Sequence, residues 1–373
     1  AHFAQRNSID ITIVGGEEPL AAGIVNYFVE RGLRIFGPTV EACKLEWSKV
    51  YAKEFMREFG IPTASYVVFD QVEEAVRFVE THPLPLVIKA DGLTRGKGSL
   101  IASNLEEAKS AIAHLMIEKA LGEAGQRIVI EQFLEGEEAT FMAFVDGKNF
   151  LVMMPVKDYK RLLDDDLGPN TGGMGSVAPH IRIPKNGTNE VIEKVFSPLI
   201  DALQMKGIKY TGILYAGVIF TKTGIKVLEF NSRFGDPETQ VILPLMKNDL
   251  MELVMLTLEG RLDEIEIEWN DKCAIGVVIA SGGYPKRYKK GFPIQGLESV
   301  KLKENILLFH SGTAKQGNEI ITDGGRVLTV VAVDTNFEKA FNNAYDACEK
   351  IKFEKAFYRN DIGQGFIETM TEE

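Results

Sequence analysis

Cysteine is scarce in this sequence: Cys43, Cys273 and Cys348 are the only three in 373 residues, and they stand far apart. That spacing suits neither a disulfide framework nor a metal knuckle, and a reducing cytoplasmic compartment is the expectation. Five scattered histidines show no zinc-ligand spacing. Positive charge is in deficit, with 42 Lys and Arg against 53 Asp and Glu and a net charge of −11. Proteins that grip duplex nucleic acid usually run basic, so nucleic acid is not an expected partner. No apolar run is long enough to span a bilayer as a helix, and no membrane partner is expected. There is no low-complexity segment and no internal repeat. What is present is ordinary for globular proteins, with 45% hydrophobic and 25% charged residues. A chain of this length buries a sizeable core, divided over roughly two to four domains.

The opening, "AHFAQRNSIDITIVGGEEPLAAGIVNYFVERGLRIFGP", has no Met and starts on what reads as the end of a helix. The strand "DITIVG" (10–15) follows. A helix with Leu20, Ile24, Val25 and Phe28 on its apolar side comes next, and then a short strand ending at "IFGP". This is a βαβ pattern of the doubly wound kind. Such a sheet needs more than two strands, so the chain is expected to open inside its first domain. A helix is expected over 39–60, stopped by Gly60 and Pro62. The segment 83–103 reads as strand, Gly-rich turn and strand. The segment 126–156 reads as strand, turn and hairpin. Helices are expected near 188–205 and over 248–260, on either side of a hairpin in 211–240. From Cys273 onward the chain is strand-rich, with strands in 273–285, 306–314 and 326–334 and a closing helix near 336–350.

Three stretches carry chemistry. In "VIKADGLTRGKGS" (87–99) a lysine ends a buried strand and three glycines with two more cations follow. Backbone N–H donors of the turn and the point charge of Lys89 suit a polyphosphate. The run is not a Walker A loop, because GxxxxGK[ST] occurs nowhere in the chain. A Gly-rich hairpin with solvated cations is the plain alternative. In "EQFLEGEEATF" (131–141) a strand enters a turn whose backbone groups can pair with an adenine edge, and a carboxylate beyond it can take two ribose hydroxyls. A hairpin with a charged tip is the plain alternative. In "VLEFNSRFGDPE" (227–238), Glu229 and Asn231 alternate on a strand and so share a face. A carboxylate and an amide oxygen there can hold Mg²⁺, which keeps the rest of its shell for phosphates and water. Arg233 is placed to bridge a transferring phosphoryl group. A polar strand end is the alternative. A fourth stretch, "LGPNTGGMGSVAPH" (167–180), follows the charged run "KDYKRLLDDD" (157–166) and reads either as a flexible surface loop or as one that handles a phosphorylated substrate.

Together these pieces resemble the ATP-grasp superfamily, in which two α+β lobes clamp ATP. More narrowly, "KDYKRLLDDDLGPNTGGMG", "KVLEFNSRFGDPETQ", "KADGLTRGKG", "FHSGT" and "DIGQGF" look like the phosphoribosylamine–glycine ligase family, and the resemblance runs over essentially the whole chain. It implies an ATP-grasp fold of α/β and α+β parts. A truncated N-terminal doubly wound domain would span 1–38. The ATP-grasp domain would span 39–260, with a mobile lid within 62–132, and a strand-rich C-terminal domain would span 261–373. It implies ligation of glycine to 5-phosphoribosylamine at the expense of ATP, through a glycyl phosphate, by a monomer without macromolecular partners.

Residue roles follow from the same resemblance. Lys49 and Lys89 would contact the ATP phosphates, with Gly92, Gly96 and Gly98 in the adjoining turn. Glu131, Phe133 and Leu134 would line the adenine, the last two partly through backbone groups, and Glu138 would hold the ribose. Glu229 and Asn231 would bind Mg²⁺ or Mn²⁺. Arg233 and Asp236 would act at the reacting end. The loop of Gly173 and Gly175 would lie beside the γ-phosphate and supply backbone donors where the acyl phosphate forms. Asp164 and Asp166 would hold the glycine ammonium or a lysine. No general base stands out, and positioning with charge neutralisation carries most phosphoryl transfers.

The chain departs from the family in places. Gly16 stands where a proline is usual, Tyr159 where histidine is more usual, and Gly365 where an arginine is usual. The family's opening Gly-rich strand–turn–helix, which helps hold the ribose 5-phosphate, has no counterpart here. Another ATP-grasp carboxylate–amine ligase and a non-catalytic nucleotide-binding fragment are the alternatives to an active ligase of this family.

Overall fold

The computed structural model describes residues 1–94, 98–301 and 303–371. The chain divides into two compact units. The first comprises Ala1–Met153, Ile183–Phe234 and Asn248–Ile267. The second comprises Met154–Arg182, Gly235–Lys247 and the described residues from Glu268 onward. It therefore takes in two segments that the sequence reading puts in the middle domain.

The first unit begins with a parallel pair, Thr12–Ile13 beside Ile35–Phe36. The connection is two helices, Glu17–Ala21 and Ile24–Val29, where one was expected. Gly23 breaks it at φ +81°, a left-handed conformation that glycine adopts without steric cost. Leu20, Val25, Phe28, Ile35 and Cys43 form the small core beneath. The helix expected over 39–60 is likewise two, Lys44–Trp47 and Lys49–Glu58. Ser48 stands between them in extended conformation and its side chain accepts from Tyr51 N, so it caps the second helix.

Two four-stranded antiparallel sheets complete this unit. One runs Tyr66–Phe69, Ile128–Gln132, Leu86–Ala90, Ser99–Ala102 in spatial order. The helices Val72–Thr81 and Leu105–Ile112 cover it, burying Ala75, Val79, Ile88, Ala108, Ile112 and Ile130. The other runs Gly224–Asn231, Gly212–Thr221, Glu137–Val145, Phe150–Val152. Phe55 and Met56 of the capped helix pack on it with Val195, Phe196 and Leu199. Strands Ile128–Gln132 and Glu137–Val145 thus belong to different sheets, and "EQFLEGEEATF" is a crossing rather than a charged hairpin tip. Gly136 makes the crossing, because a Cβ there would strike the carbonyl oxygen of Phe220.

The second unit is built on a six-stranded sheet. Ile306–His310, Arg326–Asp334, Cys273–Ser281, Gly175–Ala178 and Lys157–Asp158 lie side by side, and Ala356–Phe357 also pairs with Cys273–Ser281. The helix Phe337–Cys348 buries Ala340, Ala344 and Ala347 against it. The Gly-rich run is no loose surface loop. Leu167–Asn170 pairs antiparallel with Arg161–Leu163, and Gly175–Ala178 is an interior strand of the sheet with every residue buried.

Candidate functional site

In the first unit the site is organised around a buried carboxylate. Lys89 is the fourth residue of Leu86–Ala90 and Glu131 the fourth of Ile128–Gln132. Their side chains meet inside the unit. Lys89 Nζ donates to Glu131 Oε2 at 3.0 Å and to the Leu228 carbonyl at 3.0 Å. A second lysine, Lys53, places Nζ 2.9 Å from the same Glu131 oxygen and donates to Thr63 Oγ1 at 2.7 Å. All three charged residues are at least nine-tenths buried, with exposures of 7% for Lys89, 2% for Lys53 and 2% for Glu131. Burial lowers the Lys53 ammonium to about 8, against the opposing pull of Glu131. Sequence reasoning missed Lys53. The available signal was its place on the face of Val50 and Met56, three residues to either side, where a solvated lysine does not belong.

Lys49 opens the capped helix and is half-buried. Asp91, at the entry to the Gly-rich turn, ties that helix start to the first sheet: its Oδ1 accepts from Ser48 Oγ and Val50 N, both at 3.0 Å, and its Oδ2 accepts from Arg127 Nε at 2.8 Å. At Gly92 a Cβ would meet Ala124, and at Gly98 it would meet Thr94. Gly96 lies outside the described residues. Phe133 and Leu134 are half-buried in the crossing and belong to neither ladder. Glu138 is half-buried on Glu137–Val145, opposite Ile219. A depression of about 590 Å³ has Asp91, Lys119, Glu123 and Arg127 in its lining but none of the residues expected to bind nucleotide.

Glu229 and Asn231 end the strand Gly224–Asn231, both half-buried, opposite Gly217 and Tyr215. The described residues contain no group of three or more His, Cys, Asp or Glu able to hold a metal alone. The pair fits a hard divalent cation that draws its remaining ligands from phosphates and water: two oxygen donors two residues apart on a half-open strand end. Arg233 lies just beyond. Its Nε is 3.2 Å from Glu17 Oε2 and 3.4 Å from Glu46 Oε1. Glu46 is buried and also accepts from Ser232 N at 2.9 Å. Burial pushes its carboxyl up to about 7, and the Arg233 charge opposes that rise. Neither glutamate was singled out from sequence.

In the second unit Asp236 is exposed and held by Arg326, which sequence reasoning also missed. Arg326 Nη2 donates to Asp236 Oδ2 at 2.9 Å, while its Nη1 donates to the carbonyls of Asp236 and Gly172, both at 2.7 Å. The neighbouring N–H groups have partners within the unit. Gly172 N donates to Tyr284 Oη at 2.9 Å, Gly173 N to Thr171 Oγ1 at 3.0 Å and Met174 N to the Tyr159 carbonyl at 2.8 Å. Gly173 is a close-approach residue. Its φ is +108° and a Cβ would run into the ring of Pro237. At Gly175 a Cβ would meet the Gly276 carbonyl and Ile362.

Asp164 and Asp166 likewise take partners other than a lysine. Asp166 Oδ1 accepts from Arg359 Nη1 at 2.8 Å, and Asp164 accepts from Asn360 N and Nδ2 at 2.8 and 3.0 Å. Arg359 is 2% exposed, grips Asp361 through two nitrogens at 2.8 and 2.6 Å, and lies over the Tyr159 ring. Tyr159 Oη accepts from Gly363 N at 3.1 Å, and burial pushes its hydroxyl up to about 12. Beside Gly365, Arg182 Nη1 occupies the space where a side chain would begin.

A crossing between two antiparallel sheets, buried lysines on a shared glutamate and a Glu-x-Asn strand end define an ATP-grasp protein. Solved structures with that architecture include the biotin carboxylase domain of Hydrogenobacter thermophilus 2-oxoglutarate carboxylase, at TM-score 0.73 and 18% identity, covering 95% of this chain and 77% of that one. This chain belongs to the phosphoribosylglycinamide synthetase family: the family's N domain matches residues 1–46, its ATP-grasp (A) domain 47–239 and its C domain 274–365. It is 49% identical over 364 residues to a phosphoribosylamine–glycine ligase of Caldanaerobacter subterraneus, covering 98% of this chain and 87% of the relative. A Pseudomonas aeruginosa protein of the same name is 46% identical over 365 residues, with 97% and 84% covered. The crystal structure of the Thermotoga maritima phosphoribosylamine–glycine ligase superposes with TM-score 0.83 at 38% identity, covering 94% of this chain and 85% of that one.

Proposed function

We infer that the chain is an ATP-dependent carbon–nitrogen ligase that joins glycine to 5-phosphoribosylamine, giving glycinamide ribonucleotide, ADP and phosphate in purine biosynthesis. The observation that carries this is the match of all three family domains along one chain. A carboxylate is a poor electrophile. The reading therefore has a glycine carboxylate oxygen attack the γ-phosphorus, with ADP leaving. The phosphoribosylamine nitrogen then attacks the glycyl phosphate carbonyl, and phosphate leaves as the amide forms.

The residues support that division of labour. An ammonium has three donors. Lys89 commits two of them to Glu131 and Leu228, and a phosphate oxygen would take the third. Lys49 at the helix start is the second phosphate contact. The backbone of Phe133 and Leu134, outside both ladders, would meet the adenine edge beside Glu131, and Glu138 the ribose. Glu229 and Asn231 would hold Mg²⁺ or Mn²⁺, which supplies charge neutralisation on the phosphates. Arg233 would stabilise charge on the transferring phosphoryl group, with Glu17 and Glu46 fixing its direction. Asp236, held by Arg326, and the tightly packed run of Gly173 and Gly175 would shape the acceptor end. We also take the enzyme to act as a monomer in the cytosol. Three buried free thiols fit a reducing compartment, and no helix among the described residues is long and apolar enough to cross a membrane.

The experiment is a product assay with purified protein, ATP, Mg²⁺, glycine and freshly generated phosphoribosylamine. Glycinamide ribonucleotide should form in a one-to-one ratio with ADP, and only with all substrates present. Turnover with a different carboxylate or amine, and none with these, would favour a related ligase.

A further inference from the structure

The strand that carries the metal donors is not regular. Along Gly224–Asn231 the register slips, so that Gly217 faces Glu229 while Val218 faces Val227, and Leu228 is the extra residue of a β-bulge. A bulge leaves its extra residue outside the ladder and turns the strand beyond it. The three positions beyond Leu228 are Glu229, Phe230 and Asn231, so both metal donors lie just past the bulge. What holds the bulge is a ring of polar contacts. The Leu228 carbonyl accepts from Lys89 Nζ at 3.0 Å, and the Val227 carbonyl accepts from Thr63 Oγ1 at 2.8 Å. Thr63 Oγ1 in turn accepts from Lys53 Nζ at 2.7 Å, and Lys53 and Lys89 close the ring on Glu131 Oε2. Val227 N is fixed from the same side by the Pro62 carbonyl at 2.7 Å.

We propose that Lys53 and Thr63 are positioning residues, which hold the Leu228 bulge and the Glu131–Lys89 pair together and so align the nucleotide-phosphate lysine with the Glu229–Asn231 metal donors. The proposal rests on the reading of that site as a nucleotide and metal site. Lys53 has no path of its own to solvent, being 2% exposed, so its effect passes through its neighbours. It gives Glu131 a second cation, which keeps the carboxylate compensated when Lys89 turns a donor toward a phosphate. An uncompensated buried carboxylate would otherwise draw Lys89 back. Thr63 conveys the same lysine to the strand backbone.

The test uses the full chain, with Lys53→Met and Thr63→Val compared with wild type. Mg·ADP affinity is measured by calorimetry, and Mn²⁺ affinity in the presence of ADP is measured by electron paramagnetic resonance. Thermal melts set a temperature at which each variant is folded. Lys53→Met should weaken ADP binding about tenfold or more, Thr63→Val by several-fold, and both should weaken Mn²⁺ binding. A purely structural role would lower the melting temperature and leave the Mn²⁺ affinity of the folded protein where it was. Folded variants with ADP and Mn²⁺ affinities within about twofold of wild type would overturn the proposal. If Lys53→Met does not fold, the near-isosteric Thr63→Val decides alone. These readouts involve neither glycine nor phosphoribosylamine, so they judge the inference separately from the substrate reading, which the product assay tests.

Discussion

Lys53 on a helix and Lys89 on a strand set their ammonium groups on the same oxygen of Glu131, at 2.9 and 3.0 Å. Two cations sharing one buried oxygen repel each other, and acceptors for their remaining donors help to offset that cost. Thr63 and the Leu228 carbonyl do so. The arrangement binds four elements of the first unit, Lys49–Glu58, Leu86–Ala90, Ile128–Gln132 and Gly224–Asn231, at the point where a polyphosphate would rest.

Lys89→Ala should therefore weaken ATP binding by about tenfold or more, since it removes a charge-assisted phosphate contact and the grip on the bulge. Calorimetric titration with ATP reads this directly. An unchanged dissociation constant would remove Lys89 from the phosphate site.

Glu229→Gln keeps the shape of a half-buried side chain and removes its charge. The far-ultraviolet circular dichroism should stay as in wild type while turnover collapses and its Mg²⁺ requirement moves to much higher concentration. Near-normal turnover at low Mg²⁺ would count against Glu229 as a metal donor.

Gly173→Ala meets two obstacles at once, a φ of +108° and the ring of Pro237. A cost of about 1–3 kcal/mol is expected from the backbone alone. Denaturant unfolding should show it as a lower midpoint at an unchanged slope. A variant as stable as wild type would mean that the run 171–175 repacks easily.

Glu46 makes stability depend on pH. Its carboxyl titrates near 7 in the folded chain against an ordinary 4.5, chiefly through burial. Between those values the folded state holds a proton that the unfolded chain has released, so this contribution is complete below about 4.5 and is lost as pH rises through about 7. Its full size is about 3 kcal/mol. Urea midpoints across pH 5–8 should fall less steeply for Glu46→Gln than for wild type. Parallel profiles would show that Glu46 is already ionised at pH 5.

Much of the architecture was legible because it rests on local signals. The Glu-x-Asn alternation of 229–231, the helix over 248–260 and the closing helix near 336–350 all reach the eye from neighbouring residues. The ATP-grasp pieces were legible for the same reason, as compact motifs. The helix breaks at Gly23 and Ser48 were not, because a capping serine inside a helical pattern looks like an ordinary helix residue until Asp91 is seen to bond its hydroxyl. Partners were the least legible. Glu46 for Arg233, Arg326 for Asp236 and Arg359 for Asp166 are joined only by the tertiary fold, and a carboxylate's neighbours in sequence do not announce which cation reaches it. The same holds for Lys53, whose spacing placed it on a buried face without saying what it met there.

The central claim is that glycine is activated as an acyl phosphate and then captured by an amine. The most direct measurement supplies glycine with both carboxylate oxygens as ¹⁸O, together with ATP, Mg²⁺ and phosphoribosylamine, and determines the isotope content of the released phosphate by mass spectrometry. The account predicts one ¹⁸O in each phosphate, with the other retained in the amide of glycinamide ribonucleotide. Phosphate released without label, or at the same rate when glycine is left out, would contradict it.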